Sequence, residues 1–107
     1  MEVTDATEQA RRVRDGEVSG EELVESAIER IESVNDQLNA VVTTLYDRAR
    51  RRAREDELKG PFAGVPFLIK DLIASYEGAP MSFGSELLSD FEPDHNSYLV
   101  DRYLDAG

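Results

Sequence analysis

The segment Pro66-Phe67-Leu68-Ile69-Lys70-Asp71-Leu72 is the one stretch of this 107-residue chain that reads convincingly as a buried β-strand. Proline is tolerated at the first residue of a strand, and the aromatic and branched residues behind it suit a buried position. The β-branched stretch from Ala40 to Leu45 is a second candidate, equally readable as the lead-in to a helix. Two strands do not make a stable sheet in water. The remaining apolar residues fall on helical faces that would need a sheet to cover, and these residues supply none. The expectation is therefore a part of a larger domain. Alone, it would be poorly folded or would leave apolar surface exposed.

The helices are legible from their start signals. Asp5 with Glu8 three residues on opens a first helix, and Gly16 closes it. Ser19-Gly20-Glu21-Glu22 is a capping-box pattern ahead of a stronger helix, in which Leu23, Ala27, Ile31 and Val34 recur at helical spacing. Its opposite side carries Glu21, Glu25, Glu29 and Glu32, and Asn35-Asp36 is expected to break it. Tyr46 to Glu57 reads as a charged helix with a thin apolar stripe at Tyr46, Ala49 and Ala53. Its arginine run, Arg48 to Arg54, has two readings, a nucleic-acid patch or a solvated helix face. The adjoining Glu55-Asp56-Glu57 favours the second. Gly60-Pro61, Gly64, Gly78, Pro80 and Gly84 mark turns, and Ser97 caps a closing helix with Val100, Tyr103 and Leu104 inward. The layout is one domain over 1–107: helical over 1–58, strand-containing over 60–75, and loop plus closing helix over 76–107.

Charge narrows the partners. A net charge of −11, from 23 acidic and 12 basic residues, argues against binding to nucleic acid or an anionic membrane surface. The absence of cysteine removes disulfides and thiolate metal sites. Met1-Glu2-Val3-Thr4-Asp5 lacks the basic and apolar regions of a signal peptide, and the run Val65 to Ile69 is too short to cross a bilayer. A cytoplasmic location is the resulting expectation. The basic residues are ten Arg against two Lys, Lys59 and Lys70. Such an acidic, Lys-poor surface suits a high-salt cytoplasm, and it suits an ordinary acidic protein equally well.

Lys70 is the candidate site residue. On a strand, Leu68, Lys70 and Leu72 share one side while Phe67, Ile69 and Asp71 share the other, which leaves Asp71 poorly placed to pair with Lys70. An ammonium among leucines is costly, and burial lowers a lysine's pKa. A lysine neutralised in that way can serve as a general base, which arginine cannot. Two other readings stay open. Lys70 can sit at a strand end with its tip in solvent, or it can pair with a carboxylate distant in sequence.

The stretch from Gly60 to Asp71, Gly-Pro-Phe-Ala-Gly-Val-Pro-Phe-Leu-Ile-Lys-Asp, resembles the GPL-x-GVP-x-x-x-KD segment of amidase-signature enzymes. The likeness continues through Gly78-Ala79-Pro80, Gly84-Ser85, Pro93-Asp94-His95-Asn96-Ser97 and Ala106-Gly107. Upstream it takes in Ser19 to Leu23, Ile31 and Leu38-Asn39-Ala40. The resemblance implies an α/β fold with a mixed sheet between helical layers, of which this chain holds the N-terminal helices and the first buried strand. It also implies a hydrolase that cleaves a small-molecule amide through an acyl-enzyme, using a Ser–cis-Ser–Lys triad with Lys70 as the base and no cofactor or metal. A homodimer is the expectation for the full-length form. The serine-bearing Gly/Ser-rich signature is not found here. Ser82, Ser85 and His95 are read as loop or capping residues. The chain by itself is therefore expected to be inactive. Asp71 to Met81 and Asp101-Arg102-Tyr103 look more like general and cyclic-amide hydrolases than like the glutaminase components of tRNA-dependent amidotransferases. The competing readings are the glutaminase subunit of such an amidotransferase and a non-catalytic acidic helical module that binds through the Leu23/Ala27/Ile31/Val34 face.

Overall fold

A computed structural model describes residues 4–55 and 58–107. The far end of the expected charged helix, Asp56 and Glu57, and the opening Met1-Glu2-Val3 lie outside the described residues. The element order is α1 (Ala6–Arg14), α2 (Gly20–Leu38), α3 (Tyr46–Ala53), a 3₁₀ turn (Glu86–Leu88) and α4 (Tyr98–Asp105). The chain divides into two compact units. One runs up to Pro66 and takes in Ala106–Gly107; the other is Phe67–Asp105.

The expected α/β architecture is corrected here. Among the described residues there is no strand and no sheet, and the supposed buried strand is irregular backbone from Val65 to Lys70 followed by a turn over Asp71–Ile73. The cause is that a strand is not a local structure. Its N–H and C=O groups are satisfied by a neighbouring strand, and neither the 66–72 segment nor the 40–45 segment meets one. Of the apolar side chains that suggested burial, Phe67, Leu68 and Leu72 are exposed, at 55%, 64% and 43%, and Ile69 is half-buried.

In the first unit the capping signals act as the sequence implies. Asp5 accepts the Glu8 N–H at 2.9 Å to start α1. At α2 the Ser19 hydroxyl accepts the Glu22 N–H at 3.1 Å, while the Glu22 carboxylate accepts the Ser19 N–H at 2.8 Å, a complete capping box. The α2 apolar face is buried only near its start, at Leu23 and Val24, where it joins Ala10 and Val18 in a small core. Val34 and Leu38 remain exposed. Asn35 does not break α2, which runs on to a left-handed cap at Asn39. The Asn35 side chain finds its partners beyond the helix, donating to the Val41 carbonyl and accepting the Val41 N–H, both at 2.9 Å. No residue of α3 is buried, and Ala49, expected on the apolar stripe, is exposed.

Charge holds α3 beside α2 instead. Arg50 donates to both carboxylate oxygens of Glu25, at 2.5 and 3.1 Å. Arg54 donates to Glu21 at 2.8 Å and the Tyr46 hydroxyl to Glu32 at 2.6 Å. The arginine run is thus not a merely solvated face: two of its members meet the acidic side of α2. Backbone contact closes the unit. Gly64, with φ +83°, lies so close to Gly20 that a Cβ on either would come within 3.0 to 3.1 Å of the other's Cα. The Phe62 and Gly64 N–H groups donate to the carbonyls of Ala106 and Gly107 at 2.8 and 3.0 Å.

The second unit is a set of turns around Ala74, Ala79, Met81 and the fully buried Val100. Ser97 starts α4 as expected, its hydroxyl accepting the Val100 N–H at 3.3 Å. Cross-links tie the loops together: Gly78 N–H to the Pro93 carbonyl at 2.9 Å, Met81 N–H to Phe91 at 2.9 Å, and Ser97 N–H to Ser75 at 3.0 Å. Tyr103 is not turned fully inward; it stays 37% exposed and meets the Phe67 ring edge-on, with centroids 4.8 Å apart.

Candidate active-site segment

Lys70 ends the irregular stretch that begins at Val65, and its side chain is exposed. Among the described residues no carboxylate or other partner engages its amine. The expected burial among leucines is corrected here: of the two readings set against a catalytic role, the exposed side chain matches the one with its tip in solvent, and among the described residues no pairing with a distant carboxylate is present. Leu68 and Leu72, expected to share a face with Lys70, are exposed as well, at 64% and 43%.

The neighbouring Asp71 is engaged elsewhere. Its carboxylate accepts the Ser82 N–H at 2.7 Å and the Ser82 hydroxyl at 2.5 Å. The hydroxyl bond, helped by backbone N–H groups of Ser82, Phe83 and Gly84, holds the Asp71 carboxyl below the usual carboxylate range, against a smaller opposing effect of desolvation. Strand alternation, the ground for turning Asp71 away from Lys70, does not apply to this irregular backbone, and the sequence reading missed the partner of Asp71. The only local signal was a serine in a glycine-containing turn, and the pairing spans eleven positions.

Ser82 is thereby fixed as a turn residue, its hydroxyl also accepting the Gly84 N–H at 3.3 Å. Ser85 heads the 3₁₀ turn and donates its N–H to the Ser82 carbonyl at 2.9 Å. His95 contacts only its neighbour Asp94, at 2.9 Å, with both side chains strongly exposed. That contact holds the Asp94 carboxyl below its ordinary value. Among the described residues no group of three or more His, Cys, Asp or Glu is placed to hold a metal ion, and no helix is long and apolar enough to cross a membrane.

The family model for Amidase matches residues 22–107, a range that includes the whole Gly60-to-Asp71 segment. This chain belongs to the Amidase family. Among curated relatives, a 6-aminohexanoate-cyclic-dimer hydrolase of Pseudomonas sp. (strain NK87) is 44% identical over 106 residues, covering 96% of this chain and 21% of the relative. An acylamidase of Rhodococcus erythropolis is 38% identical, covering 95% of this chain and 23% of its own length. The glutamyl-tRNA(Gln) amidotransferase of Lachnospira eligens has a subunit, the one lettered A, that is 37% identical, with 95% and 22% covered. The solved structure of 6-aminohexanoate cyclic dimer hydrolase complexed with substrate superposes with a TM-score of 0.89 at 40% identity, over 97% of this chain and 22% of that one. The chain thus spans about a fifth of the length of the relatives it matches.

Proposed function

We propose that this chain is part of an amide hydrolase that works through an acyl-enzyme, with Lys70 as the base. The observation that carries the reading is the 44% identity to a 6-aminohexanoate-cyclic-dimer hydrolase across 96% of the chain. The Lys70 motif lies inside the matched family region, 22–107. In the proposed reaction a serine hydroxyl passes its proton through a second serine to Lys70 and attacks the amide carbonyl carbon. The C–N bond breaks, the amine leaves with a proton, and water then cleaves the acyl ester to the acid. A base of this kind must be able to exist neutral, which suits lysine and excludes arginine. The substrate is a small-molecule amide, and the scheme calls on no metal or cofactor. The two serines are supplied from outside these 107 residues, so the stretch alone turns over no amide.

The 37% identity to a glutamyl-tRNA(Gln) amidotransferase component supports a second reading, a glutaminase that feeds ammonia to a partner. The test is hydrolysis by the complete polypeptide of 6-aminohexanoate cyclic dimer, a simple aliphatic carboxamide and glutamine. Turnover of the first or second without any partner is expected. Glutamine turnover that rises only with a copurifying subunit favours the second reading, and no turnover of any amide removes both.

A further inference from the structure

The proposed chemistry leaves unused the side chain that follows Lys70. Asp71 is half-buried, and both its carboxylate oxygens are committed to one residue, Oδ1 to the Ser82 N–H at 2.7 Å and Oδ2 to the Ser82 hydroxyl at 2.5 Å. The hydroxyl oxygen in turn accepts the Gly84 N–H at 3.3 Å, so the carboxylate anchors a whole turn. Left-handed backbone occurs beside each end of the link, at Ile73 with φ +72° and at Phe83 with φ +53°. A β-branched residue in that region is a true outlier and persists only where its surroundings over-determine it. Lys70, by contrast, has no partner of its own among the described residues. A flexible four-carbon side chain with no partner samples several rotamers, so what the fold fixes is the backbone from which it projects.

We infer that Asp71 is a positioning residue for Lys70: by binding the Ser82–Gly84 turn it fixes the backbone from which the Lys70 amine projects. This rests on Lys70 being the base. The alternative, that Asp71 merely stabilises a turn, differs in what a substitution does to the lysine.

Two measurements separate them, both on the complete polypeptide. The first compares hydrolysis of 6-aminohexanoate cyclic dimer by the unsubstituted protein, Asp71→Asn, Lys70→Ala and the double variant. A misplacement of about 1 Å costs on the order of a hundredfold in rate. Asp71→Asn should accordingly lower kcat by at least about tenfold with KM little changed, and should add little loss in the Lys70→Ala background, because residues acting as a unit are not additive. Ser82→Ala, which keeps the main-chain bond, should lose less. Full activity of Asp71→Asn alongside an inert Lys70→Ala overturns the inference and leaves the base intact. A fully active Lys70→Ala overturns the base and the inference with it. The second measurement needs no turnover. Lys59 and Lys70 are the only lysines of this stretch, so carbamylation by cyanate can be read at Lys70 against Lys59, by peptide mass, within one molecule. Asp71→Asn should change that ratio by threefold or more, and an unchanged ratio in a folded variant overturns the inference.

Discussion

Replacing Gly64 by alanine puts two different costs on one position, and Gly16 separates them. Both glycines belong to the first compact unit and both have left-handed backbone, φ +83° at Gly64 and φ +73° at Gly16. An alanine there costs about 1–2 kcal/mol in backbone strain, partly offset by roughly 0.4–1 kcal/mol from the smaller entropy of the unfolded chain. At Gly16 the new methyl meets nothing within 4 Å, so the net loss should be about 1 kcal/mol. At Gly64 it meets the Cα of Gly20 at 3.1 Å and Cγ1 of Val13 at 3.4 Å. Carbon contacts prefer about 3.5–4.0 Å, so the backbone of α2 must give way, at about a further 1–3 kcal/mol. With a urea slope on the order of 1.5 kcal/mol per molar, the Gly64→Ala midpoint should fall about 1–2 M below that of Gly16→Ala. The assay is urea unfolding followed by far-ultraviolet circular dichroism. Equal midpoints for the two variants would refute the claim that the Gly20–Gly64 contact closes this unit.

Ser19→Ala removes half of the α2 capping box and should cost about 1 kcal/mol, read as a lowered thermal midpoint, with Ser19→Gly losing only a few tenths. On acidification, stability should fall below about pH 4.5, because Glu8, Glu17, Glu22 and Glu25 all have carboxyls held below their ordinary value of 4.5. Arg11 is the first cause for Glu8 and Glu17, the Ser19 N–H for Glu22, and Arg50 for Glu25. A depressed folded pKa stabilises above the unfolded pKa and ceases to do so as pH drops through the folded one, so an acid titration by circular dichroism should show loss on the low side. Arg50→Ala should raise hydrogen exchange in α3 selectively, and salt should mimic it; uniform protection in the variant would contradict an ionic attachment.

What could be read from the residues was what is decided within a turn or two. Asp5, Ser19 with Glu22, and Ser97 start helices where their side chains reach N–H groups three residues away. Asn35 misled because its chain-breaking preference reflects competition for local backbone groups, and here the amide satisfied itself at Val41 without unwinding α2. The acidic stripe of α2 and the arginines of α3 were both visible, but not their pairing, because Arg50 and Glu25 lie 25 positions apart. The strand failed for the same reason. Phe67 to Leu72 has the composition of a strand, yet a ladder depends on a partner that no local pattern reveals. The candidate site was legible as a motif around Lys70, whereas its exposure and the Asp71–Ser82 link depend on contacts across loops.

In the reaction proposed above, the amine of Lys70 takes up, through a second serine, the proton of the attacking hydroxyl. In the complete polypeptide, kcat of Lys70→Ala and Lys70→Arg, both shown to be folded, is the direct measurement. General-base catalysis contributes about 10²–10⁴-fold, so each variant should lose at least about a hundredfold, arginine included, because it cannot shed its charge. Amide turnover within a few-fold of the unsubstituted protein in either one contradicts the assignment.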